Sequence, residues 1–399
     1  MTVDQTPLPY QRDRRCPFDP APELRALQAA EPVTSYRLPN GRSVWLITRH
    51  DHAREVLGDA VRFSSEQTPL SLMLPQIEAG ELPIPPGNFV NYDPPRHTRM
   101  RKMLVRNFTA RRMQQLTPRL AEVAEGLLDE MERTGPPADL VEDFALPIAL
   151  LAISELLGIP LESREEFVEL VKAAPDMATK PADAIASYLR SQAFMARLVA
   201  ANRAAPNDGM VGALIAEHGD ELDDQEIIGM SLLMLAAGVD TASSLLGMGA
   251  LALLQNPEQA ELFSNKPDNV DNAVQELVRY LSVAPAPNGR TATQDVTFGD
   301  TTIKAGDHVL VTLSIANRDP QRFPHPDRLD LTRDSYQNVS FGHGIHHCLG
   351  APLAAVELRV ALTALFRRMP GMRLAVPFEE ITYSGFKVTH GAQHLPVVW

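Results

Sequence analysis

The chain reads Phe341-Gly342-His343-Gly344-Ile345-His346-His347-Cys348-Leu349-Gly350 just before a helical pattern that opens with Ala351-Pro352-Leu353. Pro352 suits a first helical turn, where its missing N–H costs nothing. Cys348 then places its sulfur at the positive end of a helix dipole, which favours thiolate over thiol. Gly344 and Gly350 let the backbone approach closely and direct N–H groups at the sulfur. We therefore predict that Cys348 binds a metal.

Other interpretations of this loop are a buried structural cysteine, a zinc site and an iron–sulfur cluster. A free cysteine often serves as a small hydrophobe. Zinc usually draws ligand pairs from two places in the chain, and no second Cys/His pair has that spacing here. An iron–sulfur cluster needs four thiolates, whereas Cys16 and Cys348 are the only cysteines. The pattern Phe-x-x-Gly-x-His-x-Cys-x-Gly resembles the haem-binding loop of the cytochrome P-450 family. In that family the cysteine thiolate is the axial ligand of iron and favours O–O cleavage.

The amino-acid composition limits the class of protein and the cellular compartment in which it can work. The 399 residues are 44% hydrophobic and 22% charged, as in ordinary globular proteins, and because the motifs span the chain we expect one domain over residues 1–399. Two cysteines give no disulfide framework, which fits a reducing cytosol. The N-terminal segment is polar and the apolar run 227–237 is short, so we expect no secretory signal, no membrane anchor and a cytoplasmic protein. A net charge of −13 argues against nucleic acid as a partner.

The secondary-structure pattern is mainly α with small β-sheets. Residues 32–38 and 43–48 flank a hairpin-turn signal, and the Pro-rich stretch that follows predicts an extended loop. Helices are predicted at roughly 95–107, 110–133, 143–157, 163–173, 183–203, 223–255, 270–282 and 350–368. Short strands are predicted at 295–298, 302–304 and 308–313 and within 373–398.

The helix predicted at 223–255 opens with a capping box, Asp223 and Glu226, and carries Ala237-Gly238-Val239-Asp240-Thr241 near its middle. Glycine lowers helix propensity, and Thr241 can bond back to a carbonyl one turn earlier. One interpretation is a packing glycine with a satisfied threonine. The segment also resembles the oxygen-activating part of the P-450 central helix. That resemblance implies that Asp240 and Thr241 organise a proton relay and are the catalytic pair.

Glu276 and Arg279 are spaced i, i+3 and can pair on a helix, although such a pair usually lies on a solvated surface. The order of the motifs that follow, through residues 316–328, resembles the family's Glu-x-x-Arg helix and meander. The resemblance implies that Glu276, Arg279 and Arg328 form a buried charge network that holds the haem loop.

The segment 93–101 predicts a helix that Asp93 caps and in which His97 and Arg101 share a face. A basic, solvated helix is the alternative. By resemblance, His97, Arg101, Arg290 and His346 bind the haem propionates, and Phe341 packs beside the thiolate.

The resemblance covers about residues 16–399, and the motifs occur in the same order as in the family. It implies a triangular helical prism with haem b between the long central helix and the Cys-loop helix, and it implies monooxygenation of a C–H or C=C bond. A peroxide-driven peroxygenase and a haem–thiolate sensor are the alternatives, and both are disfavoured by the intact Asp240-Thr241 pair.

The expected substrate is a bulky, largely apolar natural product of macrolide or polyketide type, because small apolar residues leave room above the haem. The predicted pocket residues are Phe89, Val90, Leu233, Ala236, Ala237, Ala286, Asn288 and Val388. The expected partners are O2, ferredoxin and ferredoxin reductase, and we expect a monomer. The predicted docking face for an acidic ferredoxin is a basic segment that contains Arg99, Lys102, Arg106, Arg111 and Arg112.

Overall fold

A computed structural model describes residues 12–13, 16–38, 41–68, 85–174, 179–284, 288–384 and 389–399. The helices are α1 (Pro22–Ala30), α2 (His50–Gly58), α3 (Arg96–Leu104), α4 (Ala110–Thr134), α5 (Leu146–Leu157), α6 (Arg164–Lys172), α7 (Pro181–Ala204), α8 (Met210–His218), α9 (Asp224–Leu254), α10 (Pro257–Asn265), α11 (Val270–Leu281), α12 (Leu313–Ala316) and α13 (Ala351–Arg368). The strands are β1 (Val33–Arg37), β2 (Ser43–Ile47), β3 (Phe63–Ser64), β4 (Ala138–Asp139), β5 (Asn288–Ala292), β6 (Val296–Phe298), β7 (Thr301–Ile303), β8 (His308–Val311), β9 (Arg373–Leu374) and β10 (Pro396–Val398).

Helix α9 is the axis of the core. Its predicted capping box is present: Asp223 accepts from the Glu226 backbone N–H at 2.8 Å, and the Glu226 side chain accepts from the Asp223 N–H at 3.3 Å. Helices α5, α7, α11 and α13 pack against it. Among the described residues it is the one helix long and apolar enough to cross a membrane. An apolar helix surrounded by other helices is also what a protein core requires.

The eight predicted helices are present, with boundary differences. Helix α3 ends at Leu104 and continues as a 3₁₀ turn over Val105–Phe108, and a π-helical segment, Val141–Ala145, leads into α5. Five helices were not predicted: α1, α2, α8, α10 and α12. The first four have nine residues each, α12 has four, and none has a side-chain cap, so these sequences carry few of the signals that mark a helix end.

Small sheets flank the helices, as predicted. One sheet has the order β1-β2-β8-β5-β3, in which β2 and β8 are parallel and the other pairs antiparallel. The β1–β2 pair confirms the hairpin predicted around residue 40, and β6 with β7 forms a second hairpin. Strand β5 brings Arg290 to the interior, where it is 6% exposed.

A buried charge network fixes the chain that leads to the Cys348 loop. Glu276 and Arg279 are fully buried, and the guanidinium makes two hydrogen bonds to the carboxylate, at 2.7 and 2.8 Å. Arg279 also donates to the carbonyl oxygens of Asn317 and Pro326, both at 2.9 Å. Breaking such a pair typically costs about 3–5 kcal/mol, because one charge is left buried without a partner.

The third member of this network is Arg333, so the prediction of Arg328 is wrong. The Arg328 side chain is exposed, and only its carbonyl oxygen meets Arg279, at 3.5 Å. Arg333 instead donates from Nε to Glu276 Oε1 at 3.2 Å, and Ser335 donates its hydroxyl to the same carboxylate. Both residues lie in the segment that runs directly into the loop.

Candidate active site

The Cys348 loop lies against the end of α2. Gly344 has φ +72°, and a Cβ there would stand 2.4 Å from the carbonyl oxygen of Leu57, so any other side chain would collide with the backbone. The Cys348 N–H donates to the Phe341 carbonyl at 2.8 Å and closes the loop. The Phe341 ring, half-buried, lies 6.4 Å from the ring of His347.

The Cys348 side chain is accessible to solvent, although many protein atoms lie around it. Burial raises the pKa of its thiol, while the N–H groups of Gly350 and Ala351 and the charge of Arg101 act in the opposite direction. The predicted N–H groups therefore do point at the sulfur. The helix end alone predicted a lowered pKa for the Cys348 thiol, but the opposite effect of burial is larger. Gly350 has an ordinary helical φ of −78°, and a Cβ there would stand 3.8 Å from the Cys348 sulfur, an ordinary contact.

Four nitrogen-bearing side chains gather near the loop from three parts of the chain. The rings of His97 on α3 and His346 in the loop have centroids 4.2 Å apart. Burial, then Arg290 and the other nearby cations, lower the pKa of His346 to about 3. Burial and Arg101 lower the pKa of His97 to about 4. Arg101 also donates to the carbonyl of His347 at 2.6 Å, which ties α3 to the loop.

This cluster fits a ligand with two carboxylates. Within the described chain, neither ring nitrogen of His97 has a hydrogen-bond partner, and Nδ1 of His346 has none, although all three atoms are buried. Unpaired buried polar atoms are costly. Burial also lowers the pKa of Arg290 to about 10, so the site disfavours its own positive charge. Carboxylates placed among these groups would supply the missing acceptors and the counter-charge.

Asp93 and Ser65 support the cluster in a way the sequence did not predict. The helix begins at Arg96 without a side-chain cap. Asp93 instead accepts from the Ser64 hydroxyl and from the Ser65 N–H at 2.8 Å. The Ser65 hydroxyl lies 3.1 Å from Nε2 of His346. No spacing pattern connects residue 65 with residue 346, so only the fold could identify this contact.

The middle of α9 carries the predicted catalytic pair. Thr241 donates its hydroxyl to the Ala237 carbonyl at 2.6 Å, the back-bond expected from the sequence. A Cβ at Gly238 would stand 2.2 Å from Cδ1 of Ile153 on α5, so this glycine permits close helix packing. Ala236 and Ala237 are exposed although they lie within the core helix. The Asp240 carboxylate accepts from the hydroxyl of Thr389, a residue that the sequence analysis missed.

The predicted pocket residues have different surroundings. Phe89 is 2% exposed and its ring lies 6.1 Å from that of His97, whereas Val90 is 43% exposed. Leu233 and Asn288 are half-buried. Ala286 and Val388 lie outside the described residues.

Most of the predicted ferredoxin-docking cations are engaged within the protein. Arg99 lies 3.6 Å from Glu226, Arg106 pairs with Glu217, and Arg112 donates to the carbonyl of Asp208 at 3.3 Å. These contacts join α3 and α4 to the α8–α9 region. Arg106 and Arg112 thus have contacts within the protein, and docking of ferredoxin on this segment stays a prediction. Lys102 and Arg111 are exposed, and no partner is seen for either within the described chain.

A thiol loop at a helix start, beside a buried cluster that fits two carboxylates, defines a haem–thiolate site. The zinc alternative has no support, since no group of three His, Cys, Asp or Glu side chains in the described part of the chain could hold a metal ion.

Comparison with known proteins supports the assignment of a haem–thiolate site. A sequence model of the family Cytochrome P-450 matches residues 268–369. The chain is 40% identical to a vitamin D(3) 25-hydroxylase of Pseudonocardia autotrophica, over 95% of this chain and 93% of that protein. It is 38% identical to the mycinamicin IV hydroxylase/epoxidase of Micromonospora griseorubida, over 94% of each. The solved structure of StaH, from glycopeptide antibiotic biosynthesis, superposes with a TM-score of 0.88 at 40% identity and covers 99% of this chain and all of that one. The chain belongs to the cytochrome P-450 family, so it is an oxygenase whose cofactor is haem b.

Proposed function

We propose that this protein inserts one oxygen atom from O2 into a C–H or C=C bond of a bulky, largely apolar natural product of macrolide or polyketide type. In this proposal it works as a single-domain, monomeric, cytoplasmic enzyme that receives electrons from NAD(P)H through ferredoxin and ferredoxin reductase. The observation that carries the proposal is the imidazole pair of His97 and His346 beside the Cys348 loop, in which three buried ring nitrogens have no hydrogen-bond partner within the described chain.

In this proposal Cys348 would hold the haem iron through its sulfur. His97, Arg101, Arg290 and His346 bind the propionates, and the packing of His97 against His346 fixes where they bind. When bound, haem supplies the oxygen chemistry, while the protein supplies orientation and electrostatics. Phe341 would pack beside the thiolate and tune its surroundings.

Thr241 and Asp240 deliver protons. The Thr241 hydroxyl is held by the Ala237 carbonyl at 2.6 Å, so its oxygen keeps a fixed place on α9 and can pass a proton along. Asp240, the preceding residue, would resupply that proton. Reduction of the second oxygen atom to water consumes protons, so a defect in this pair should divert electrons to peroxide while substrate still binds.

The substrate class follows from the exposed face of α9 and from the relatives. Ala236 and Ala237 present small side chains to open space, and Leu233 continues the apolar surface one turn earlier. Two relatives are named for the compounds mycinamicin IV and vitamin D(3), which are both bulky and largely apolar. Phe89, Val90, Ala286, Asn288 and Val388 complete the proposed walls.

The proposal is tested with a ligand panel. Mycinamicin IV, vitamin D(3) and a small polar control are titrated into the haem-loaded protein, and the low-to-high-spin shift of the haem spectrum is recorded. Compounds that shift the spectrum are then incubated with NADPH, ferredoxin and reductase, or with peroxide alone. Oxygenated product in the first mixture supports the proposal. Product only with peroxide would establish a peroxygenase, and a spectral shift without product in either mixture would indicate a sensor.

A further inference from the structure

Two antiparallel segments near the C-terminus, 383–384 and 389–392, pair as a hairpin that reaches the central helix at Asp240. Thr389 is 3% exposed, and its hydroxyl donates to Oδ2 of Asp240, a residue 149 positions earlier in the chain. Hydrogen bonds from a hydroxyl to a carboxylate are among the stronger ones in proteins, because the acceptor is charged. Thr389 is therefore one partner that holds the carboxylate in a defined orientation.

The hairpin is itself well fixed around Thr389. Ser384 donates its N–H to the Gly391 carbonyl at 2.8 Å, and its hydroxyl donates to the Thr389 carbonyl, also at 2.8 Å. The Gly391 N–H donates back to the Ser384 hydroxyl at 3.0 Å. The His390 N–H donates to the Val283 carbonyl at 2.7 Å, which anchors the hairpin to the end of α11. The backbone that carries Thr389 is thus held by hydrogen bonds on both sides.

The same hairpin lies directly on the turn of α9 that follows Asp240. A Cβ at Gly391 would stand 2.5 Å from Oγ and 2.9 Å from Cβ of Ser244. Gly391 is therefore the residue that lets the two backbones approach. With Gly391 against Ser244 and Thr389 against Asp240, the hairpin contacts both ends of one helical turn.

We propose that Thr389 is a positioning residue that orients the Asp240 carboxylate for proton delivery. The inference rests on the proposed monooxygenase function, in which Asp240 resupplies the proton to Thr241. Without the Thr389 hydroxyl, the Asp240 side chain would sample other rotamers, and protons would reach Thr241 less often. Electrons would then leave as peroxide more often, with no change in how the haem is held.

Two substitutions separate this role from simple packing. Thr389→Val keeps the shape of the side chain and removes the donor, whereas Thr389→Ser keeps the donor and removes a methyl group. Peroxide released per NADPH is measured across pH with ferredoxin and reductase. We expect Thr389→Val to raise that ratio by about threefold or more, with a changed pH profile, and Thr389→Ser to match the parent. In an Asp240→Ala background, Thr389→Val should add nothing.

A second readout needs no turnover. Amide hydrogen exchange of residues 389–393 is measured in the haem-loaded resting enzyme. Thr389→Val and Asp240→Ala should each accelerate exchange there, and Thr389→Ser should not. Equal effects of Thr389→Val and Thr389→Ser, or an undiminished effect of Thr389→Val without Asp240, would overturn the proposal. If the parent consumed no NADPH, the proposed function would fail, and exchange would still decide whether Thr389 holds Asp240.

Discussion

Glu357 is a buried carboxyl group whose ionisation should control how stability depends on pH. It lies on α13, is 3% exposed, and its Oε1 has no hydrogen-bond partner within the described chain. Burial raises its pKa from 4.5 to about 8. A carboxylate in that position would be desolvated and uncompensated, so the native protein should hold Glu357 in its neutral form at physiological pH.

The sign of the effect follows from where the proton binds. Between pH 4.5 and about 8, the native state binds this proton and the unfolded chain does not. The stabilising contribution is therefore complete below pH 4.5 and is lost as the pH rises toward about 8. The free energy of unfolding should fall by about 1.4 kcal/mol per pH unit across this interval, roughly 5 kcal/mol in total.

Glu357→Gln keeps the size of the side chain and cannot ionise. We expect the variant to lack this part of the pH slope, so the stability of variant minus parent should rise by roughly 2.7 kcal/mol from pH 5.5 to 7.5. Urea unfolding of the haem-loaded proteins at several pH values measures the difference, and contributions from haem and from other titrating groups cancel in it.

The exposed Glu162, changed to Gln, serves as the matched control and should give a pH-independent difference. A variant-minus-parent difference for Glu357→Gln that stays constant between pH 5.5 and 7.5 would refute the reasoning, because it would mean that Glu357 is ionised in the native protein.

Four further predictions concern the site. Cys348→Ala should abolish activity and the red-shifted Soret band of the reduced CO complex, and survival of that band would reject the ligand assignment. Thr241→Ala should keep the ligand-induced spectral shift but lower product per NADPH, and a ratio equal to the parent's would exclude a proton-relay role. Arg333→Ala should lower stability by about 3 kcal/mol in urea unfolding, against a near-zero change for Arg328→Ala. Lys102→Glu should weaken ferredoxin binding, and the rate of first-electron transfer should fall as the salt concentration rises. Lys266→Glu, which changes an exposed lysine at the end of α10, is the control. An equal effect of the two substitutions would place the docking site elsewhere.

The parts of the fold that the sequence predicted are those with strong local signals. The α9 capping box and the Thr241 back-bond each join residues a few positions apart, and each is present as expected. Helices α1, α2, α8 and α10 have nine residues and lack side-chain caps, so they depend on the neighbours against which they pack. Such dependence leaves little trace in a short stretch of sequence.

The site was predicted less completely, because several of its contacts join distant segments. Arg328 and Arg333 both lie in an irregular segment, where no periodicity indicates which side chain turns inward, and Arg333 is the one that reaches Glu276. Arg106, which was placed on the predicted docking face, pairs with Glu217, a residue on another helix. A count of basic residues along α3 and α4 cannot reveal that acidic partners from elsewhere neutralise them.

The polar segment in the middle of α9 shows how one local conflict is resolved by three separate neighbours. Gly238 admits Ile153 of α5, which sets how closely the helices pack. Thr241 satisfies its hydroxyl on the Ala237 carbonyl within the same helix. Asp240 finds Thr389 on the C-terminal hairpin. Each of these three residues is compensated by a different neighbour. Mutations should therefore affect helix packing at Gly238, proton donation by Thr241 and the orientation of the Asp240 carboxylate separately. This segment has poor helix propensity, yet it can remain in the core helix. Its polar and small residues serve the site, and contacts with neighbouring residues compensate for each of them.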